Sequence, residues 1–155
     1  MTQTTPRPET FLIAEDDDDH FLLTVEAMSE AGLKEEPYRV RNGEELLQYL
    51  RQTTSPPRLI LLDLNMPRKG GFEVLEEIQE QPSLKNVPIV ALSTSLSEED
   101  IHRGYELGIQ SCLKKPLHFD QWVSMMKNLK QKWLQAAKPL RGIKNRKIIG
   151  LASKG

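Results

Sequence analysis

The sequence predicts an α/β protein, a doubly wound five-stranded parallel sheet with helices on both faces. Five short apolar runs alternate with segments whose apolar residues recur at helical spacing, the pattern of consecutive βα units joined by right-handed crossovers. The run Leu59-Ile60-Leu61-Leu62, bounded by Ser55-Pro56-Pro57 and then by Pro67 and Gly70-Gly71, is apolar at every position, as a strand covered on both faces must be. Acids also follow two of the runs directly: Glu15-Asp16 after the first and Asp63 after the third. In open α/β sheets, ligands bind beyond the carboxyl ends of the strands.

The elements follow in order. Phe11-Leu12-Ile13-Ala14 is the first strand, and His20 to Ala31 carries Leu22, Val25 and Met28 at helical spacing before Gly32 stops it. Tyr38 to Arg41 is a second, weaker strand. Asn42 with Glu45 three residues on reads as a capping pair opening a helix through Leu46, Leu47 and Leu50. After the strand ending at Asp63, a helix from about Phe72 to Gln79 runs to the breaker Pro82. Val87 to Leu92 is the fourth strand, with Pro88 tolerated near its start. Ser97 and the acids Glu98, Glu99 and Asp100 open a helix that reaches Gly108. Ser111 to Lys114 is the fifth strand. A final helix from Gln121 to Ala137 places Trp122, Met126, Leu129 and Trp133 on one face.

The acids carry the chemistry. If the first and third strands are parallel neighbours, Glu15, Asp16 and Asp63 converge, and three carboxylates within a few ångströms repel by several kcal/mol unless a cation or shared protons relieve them. A hard divalent cation with oxygen ligands answers this, and Mg²⁺ suits a site with few protein ligands. Asp63 alone also fits a turn-initiating side chain before Pro67, and Asp17, Asp18 and Asp19 fit the start of a helix.

At 155 residues the chain has the bulk for one domain. A net charge of -1 argues against nucleic-acid binding by the domain as a whole. The single cysteine, Cys112, excludes an internal disulfide and a cysteine-based metal site. A polar first ten residues and the lack of any long apolar run predict neither signal peptide nor membrane anchor, and hence a cytoplasmic protein.

Glu15-Asp16 after strand one, Asp63 after strand three, Ser93 after strand four and Lys115-Pro116 after strand five together resemble the site of two-component response-regulator receiver domains, over about residues 10 to 137. The wording Leu61-Leu62-Asp63-Leu64-Asn65-Met66-Pro67, with Ser93-Thr94-Ser95 and the trailing Trp133, is similar to the stand-alone phytochrome-associated response regulators. The resemblance implies the flavodoxin-like strand order 2-1-3-4-5, in which strands one and three are neighbours. It divides the chain into a flexible segment at 1–9, the receiver domain at 10–137 and a basic tail at 138–155 that holds six Lys or Arg and no acid.

The resemblance also implies roles. Asp63 accepts a phosphoryl group from a sensor histidine kinase, with a phytochrome as one candidate; Mg²⁺ is held by Asp63, Asp16, Glu15 and the backbone carbonyl of Asn65; Lys115 pairs with the phosphoryl oxygens; and Ser93 binds them once they arrive. The protein would catalyse its own phosphorylation and dephosphorylation and signal by protein contacts. Lys114 is the surface lysine of the pair, since the residue before Pro116 is held extended at the strand end.

Cys112 departs from the pattern: it stands where receivers usually place a Tyr or Phe that swings inward, which weakens or alters the switch with Ser93. His20, His102 and His118 read as surface or cap residues. The length of the final helix implies projecting turns carrying Trp133 and Leu134; a homodimer formed by the fourth helix, fifth strand and last helix would cover them, and the alternative is that Trp133 folds back on its own domain. Two other readings are a pseudo-receiver interaction module, against which the intact Glu15-Asp16, Asp63 and Lys115 stand, and a Mg²⁺-dependent aspartyl phosphatase. The latter's usual second acid, two residues after the nucleophile, is here Asn65.

Overall fold

The computed structural model describes residues 11–66, 69–84 and 86–134. Five parallel strands, β1 (Phe11–Ala14), β2 (Tyr38–Val40), β3 (Leu59–Asp63), β4 (Ile89–Ser93) and β5 (Ser111–Lys114), form one sheet in the order β2-β1-β3-β4-β5. Five helices connect or follow them: α1 (Asp18–Glu30), α2 (Gly43–Gln52), α3 (Gly71–Gln79), α4 (Glu98–Glu106) and α5 (Phe119–Leu129).

Alternate residues of each central strand serve opposite faces. Leu12, Ala14, Ile60, Leu62, Ile89 and Ala91 pack with Leu46, Leu47 and Leu50 of α2 and Val74, Leu75 and Ile78 of α3. Their neighbours Phe11, Ile13, Leu59, Leu61, Val90 and Leu92 face Ala27 and Met28 of α1 and Trp122, Met126 and Leu129 of α5. This double cover is why β1, β3 and β4 read as unbroken apolar runs. The fourth helix is different, because Gly104 is its one buried residue.

The structure departs from expectation in three informative places. Helix α1 starts at Asp18, ahead of the expected His20, because Asp17 caps it through a 3.0 Å bond from the His20 amide. At α2 the Asn42 side chain accepts from the Glu45 amide, as the capping pair predicts, but Glu45 reaches back to the Arg41 amide rather than to Asn42 itself. The final helix departs most from expectation. Regular α5 spans Phe119–Leu129 and is followed by a wider π turn over Lys130–Leu134, so the uniform helix from Gln121 to Ala137 is not observed. Trp133 on this turn is half-buried and packs against the α1/α5 core of its own chain, which corrects the expectation that it projects beyond the domain. The side chain of Leu134, residues 1–9 and the tail at 138–155 lie outside the described residues.

The segment leaving Asp63 is held from α2. The Gly43 amide donates to the Lys69 carbonyl at 3.1 Å, and a Cβ on Gly43 would come within 2.3 Å of that oxygen. A side chain is therefore excluded there by the close approach itself.

Candidate active site

Parallel pairing builds the site. Ala14 lies opposite Leu62, so the next residues, Glu15 and Asp63, meet at the same sheet edge. The Glu15 amide continues the ladder to Val40, the Leu64 amide to Leu92 and the Lys115 amide to Ser93, which carries the strand ends into the site without slack. Glu15, Asp63, Ser93 and Lys115 are all buried, whereas Asp16 is exposed. Glu15, Asp16 and Asp63 each present an oxygen within 4.8 Å of the others, the convergence expected from the two acidic strand ends.

Among the described residues, one ammonium pairs with two of these acids. Lys115 Nζ lies 2.8 Å from Glu15 Oε1 and 3.1 Å from Asp63 Oδ2, with both partners at most 5% exposed. Lys114 is exposed, as expected of the pair. The other Asp63 oxygen accepts from the Asn65 amide at 2.9 Å, and the other Glu15 oxygen from the Asp17 amide at 3.2 Å. Burial pushes the Glu15 carboxyl up to about 7, and the Asp63 carboxyl beside it adds to the rise against the opposing pull of Lys115.

The Ser93 hydroxyl is 2.7 Å from Asn65 Oδ1 and 2.9 Å from the Ser95 carbonyl, and it accepts from the Ser95 amide at 3.2 Å. Asn65 thus touches both Asp63, through its backbone, and Ser93, through its side chain. Cys112 is half-buried on β5 opposite Ala91; desolvation, then the Asp100 charge, pushes its thiol up to about 11. A thiol so protonated is a poor nucleophile.

Two residues of the site escaped the sequence reading. His20, expected to be a surface or cap residue, places Nδ1 2.9 Å from Lys115 Nζ. The available signal was its spacing: four residues after Asp16, it falls on the first turn of the helix that begins at the acids. Arg39 donates through Nε to the Glu15 carbonyl at 3.0 Å, pairs with Asp18 at 2.9 Å and lies 4.5 Å over the Phe21 ring. It clamps the acid-bearing turn from the neighbouring strand, a role that a three-residue edge strand does not announce. His118 stands at the N-cap of α5 and His102 pairs with Glu106 on the surface, as expected for both.

The donor set fits a hard cation. All candidate ligands are oxygens, two are buried, the exposed Asp16 leaves a side open to solvent, and among the described residues a single ammonium, that of Lys115, pairs with Glu15 and Asp63.

Residues 11–127 match the response regulator receiver domain family, and the chain belongs to it. Within the family it is similar to phytochrome-associated response regulators. Response regulator Rcp1 of Synechocystis sp. is 34% identical over 140 residues, covering 87% of this chain and 95% of the relative. The solved Mn²⁺-bound form of Rcp1 superposes with a TM-score of 0.75, covering 84% of this chain and 98% of that one. The phosphorylated cyanobacterial phytochrome response regulator RcpA is 38% identical with a TM-score of 0.76, covering 84% and 96%. The probable methanogenesis regulatory protein FilR2 of Methanothrix harundinacea is 35% identical over 131 residues, 82% of this chain and 84% of the relative. Receiver domains bind a divalent metal and work with histidine kinases. No helix among the described residues is long and apolar enough to cross a membrane.

Proposed function

We propose that the protein is a response regulator whose Asp63 takes a phosphoryl group from the phosphohistidine of a sensor kinase, with a phytochrome as the candidate kinase, and that it passes the signal on by protein contacts. The observation that supports this most is that Asp63, at the sheet edge, lies 3.1 Å from Lys115 and within 4.8 Å of both Glu15 and Asp16. Glu15, Asp16, Asp63 and the Asn65 carbonyl would hold Mg²⁺, which supplies positive charge to the equatorial oxygens of the transferring group.

An Asp63 carboxylate oxygen forms the new O–P bond as the N–P bond of the donor breaks, the electron pair staying on the imidazole nitrogen, which then takes a proton. Lys115 turns from Asp63 to a phosphoryl oxygen as a point charge. Ser93 Oγ exchanges Asn65 and the Ser95 carbonyl for another phosphoryl oxygen, and the small Cys112 on the adjacent strand sets how that movement reaches the outer face. Hydrolysis of the acyl phosphate at the same site resets the protein. The decisive test is intact-mass measurement after incubation with acetyl phosphate and millimolar Mg²⁺, which should show one added phosphoryl group; no gain under these conditions or from any of a panel of phosphorylated kinases would sink the reading.

Metal binding should depend on pH with a stated sign. A cation needs Glu15 ionised, and in the metal-free protein that carboxyl titrates at about 7. Mn²⁺ affinity is expected to rise about tenfold per pH unit up to that value and to level off above it. For the metal-free fold, protonated Glu15 is the favoured form. Its contribution is fully present below the ordinary 4.5 and is lost as pH rises through about 7. Mn²⁺ titrations across that range would show a flat affinity if Glu15 took no part.

We also propose a homodimer through α4, β5 and α5. A groove of roughly 650 Å³ runs between β5 and α5, lined by Leu113, Met125, Leu129 and Trp133 among others, and Leu117 at its end is 87% exposed. Trp133→Glu is expected to shift the protein towards monomer while phosphorylation of Asp63 continues. Light scattering over a concentration series checks this, and a parent protein still monomeric at ~100 μM would rule the dimer out, since association that weak gains under about 6 kcal/mol.

A further inference from the structure

His20 has no part in the reaction described above. Its ring is half-buried, and it lies 6.4 Å from the buried Trp122 ring at an angle of 39°, so α5 helps to fix its position. Its backbone carbonyl is taken by the Thr24 hydroxyl, a contact that any residue at this position could make. The imidazole is the specific part, with Nδ1 2.9 Å from Lys115 Nζ.

A lysine ammonium has three N–H donors and no acceptor. Those of Lys115 meet Glu15 at 2.8 Å, His20 at 2.9 Å and Asp63 at 3.1 Å, and at 5% exposure the side chain has little access to water as a substitute. Two of the three acceptors are carboxylates that a divalent cation would also use. Loading the cation therefore draws acceptors away from Lys115 and sets a second positive charge beside it. His20 Nδ1 is the acceptor that a hard, oxygen-seeking cation does not claim.

We propose that His20 is a positioning residue for Lys115: its unprotonated Nδ1 holds the ammonium beside the acid cluster while a cation occupies the carboxylates and until phosphoryl oxygens arrive. The contact fixes the imidazole proton on Nε2. The proposal rests on the assignment of Lys115 as the phosphoryl partner, and it concerns how that lysine is kept satisfied while its carboxylate partners are shared.

Two measurements on the full chain test it. In metal-free protein above neutral pH, long-range ¹H–¹⁵N correlation spectra should show His20 with the proton on Nε2 and with Nδ1 shifted by a hydrogen bond, and Lys115→Met should remove that shift at Nδ1. In Mn²⁺ titrations, His20→Leu should weaken binding about tenfold, the effect of leaving one buried donor unsatisfied, while His20→Asn, whose side-chain oxygen can stand where Nδ1 stands, should stay within about twofold of the parent. A proton on Nδ1, spectra indifferent to Lys115→Met, or Leu and Asn variants that bind Mn²⁺ alike would each overturn the proposal. Should His20→Leu fail to fold, the parent spectra and the Asn variant still decide it. A parent with the expected spectra and Mn²⁺ response that takes no phosphate from acetyl phosphate would instead overturn the phosphoacceptor reading, leaving the His20 to Lys115 contact in place.

Discussion

Asp63→Asn is expected to take up no phosphoryl group from acetyl phosphate at millimolar Mg²⁺, while the parent gains one. The amide nitrogen that replaces one oxygen has no lone pair available for attack on phosphorus, and the remaining carbonyl oxygen is a far weaker nucleophile than a carboxylate. The substitution keeps the side-chain shape, and its carbonyl oxygen can still accept from either Lys115 or the Asn65 amide, at 3.1 and 2.9 Å from the two oxygens of Asp63, while the new NH2 group faces the other donor. It also removes one of three crowded acids, so the melting temperature is expected not to fall. Loss of labelling together with an intact fold would assign the acceptor, whereas an Asn variant labelled as fully as the parent would place the phosphoryl group elsewhere.

Lys115→Met is expected to destabilise the metal-free protein, and to do so more at high pH. Lys115 is the basic partner common to the buried Glu15 and Asp63. Breaking a buried pair by removing one member leaves uncompensated charge, a loss of about 3–5 kcal/mol. The acids can soften this by taking up protons. Glu15 already titrates at about 7 beside Lys115, and removing the lysine's lowering influence raises it further. The loss should therefore be near the lower figure at about pH 8 and should shrink at about pH 6, with part of it recovered by millimolar Mg²⁺. Urea unfolding at the two pH values, with and without the cation, would show this. An equal loss at both pH values would mean that methionine disturbs packing rather than charge balance.

Much of this site was legible because strand ends are legible. An apolar run such as Leu59 to Leu62 fixes a buried parallel strand by its lack of alternation, and the first polar residue after it must then lie at the sheet edge. Asp63, Glu15, Ser93 and Lys115 all follow from that rule together with the family resemblance. Lys115 was separable from Lys114 because Pro116 holds only the former extended. What the sequence concealed depended on one side chain reaching another across the fold. His20 touches Lys115 from 95 positions away, and Arg39 reaches the Glu15 carbonyl from 24. Neither has a local pattern that distinguishes it from a solvated residue. The end of α5 failed for another reason: apolar spacing of four, three and four is satisfied by an α-helix and also, within one turn, by the wider π turn that seats Trp133 on its own core.

The fourth helix buries only Gly104, where a Cβ would come within 2.6 Å of the Ile109 side chain. A nine-residue helix with so little apolar area withdrawn from water has only a shallow free-energy minimum, and its amide protons should exchange with solvent faster than those of α2 or α3, which hold several buried leucines, valines or isoleucines each. Four residues separate it from Ser93. Such a helix is expected to sample displaced conformations in the resting protein, in which case a bond made or broken at the Ser93 hydroxyl needs only to reweight an existing ensemble.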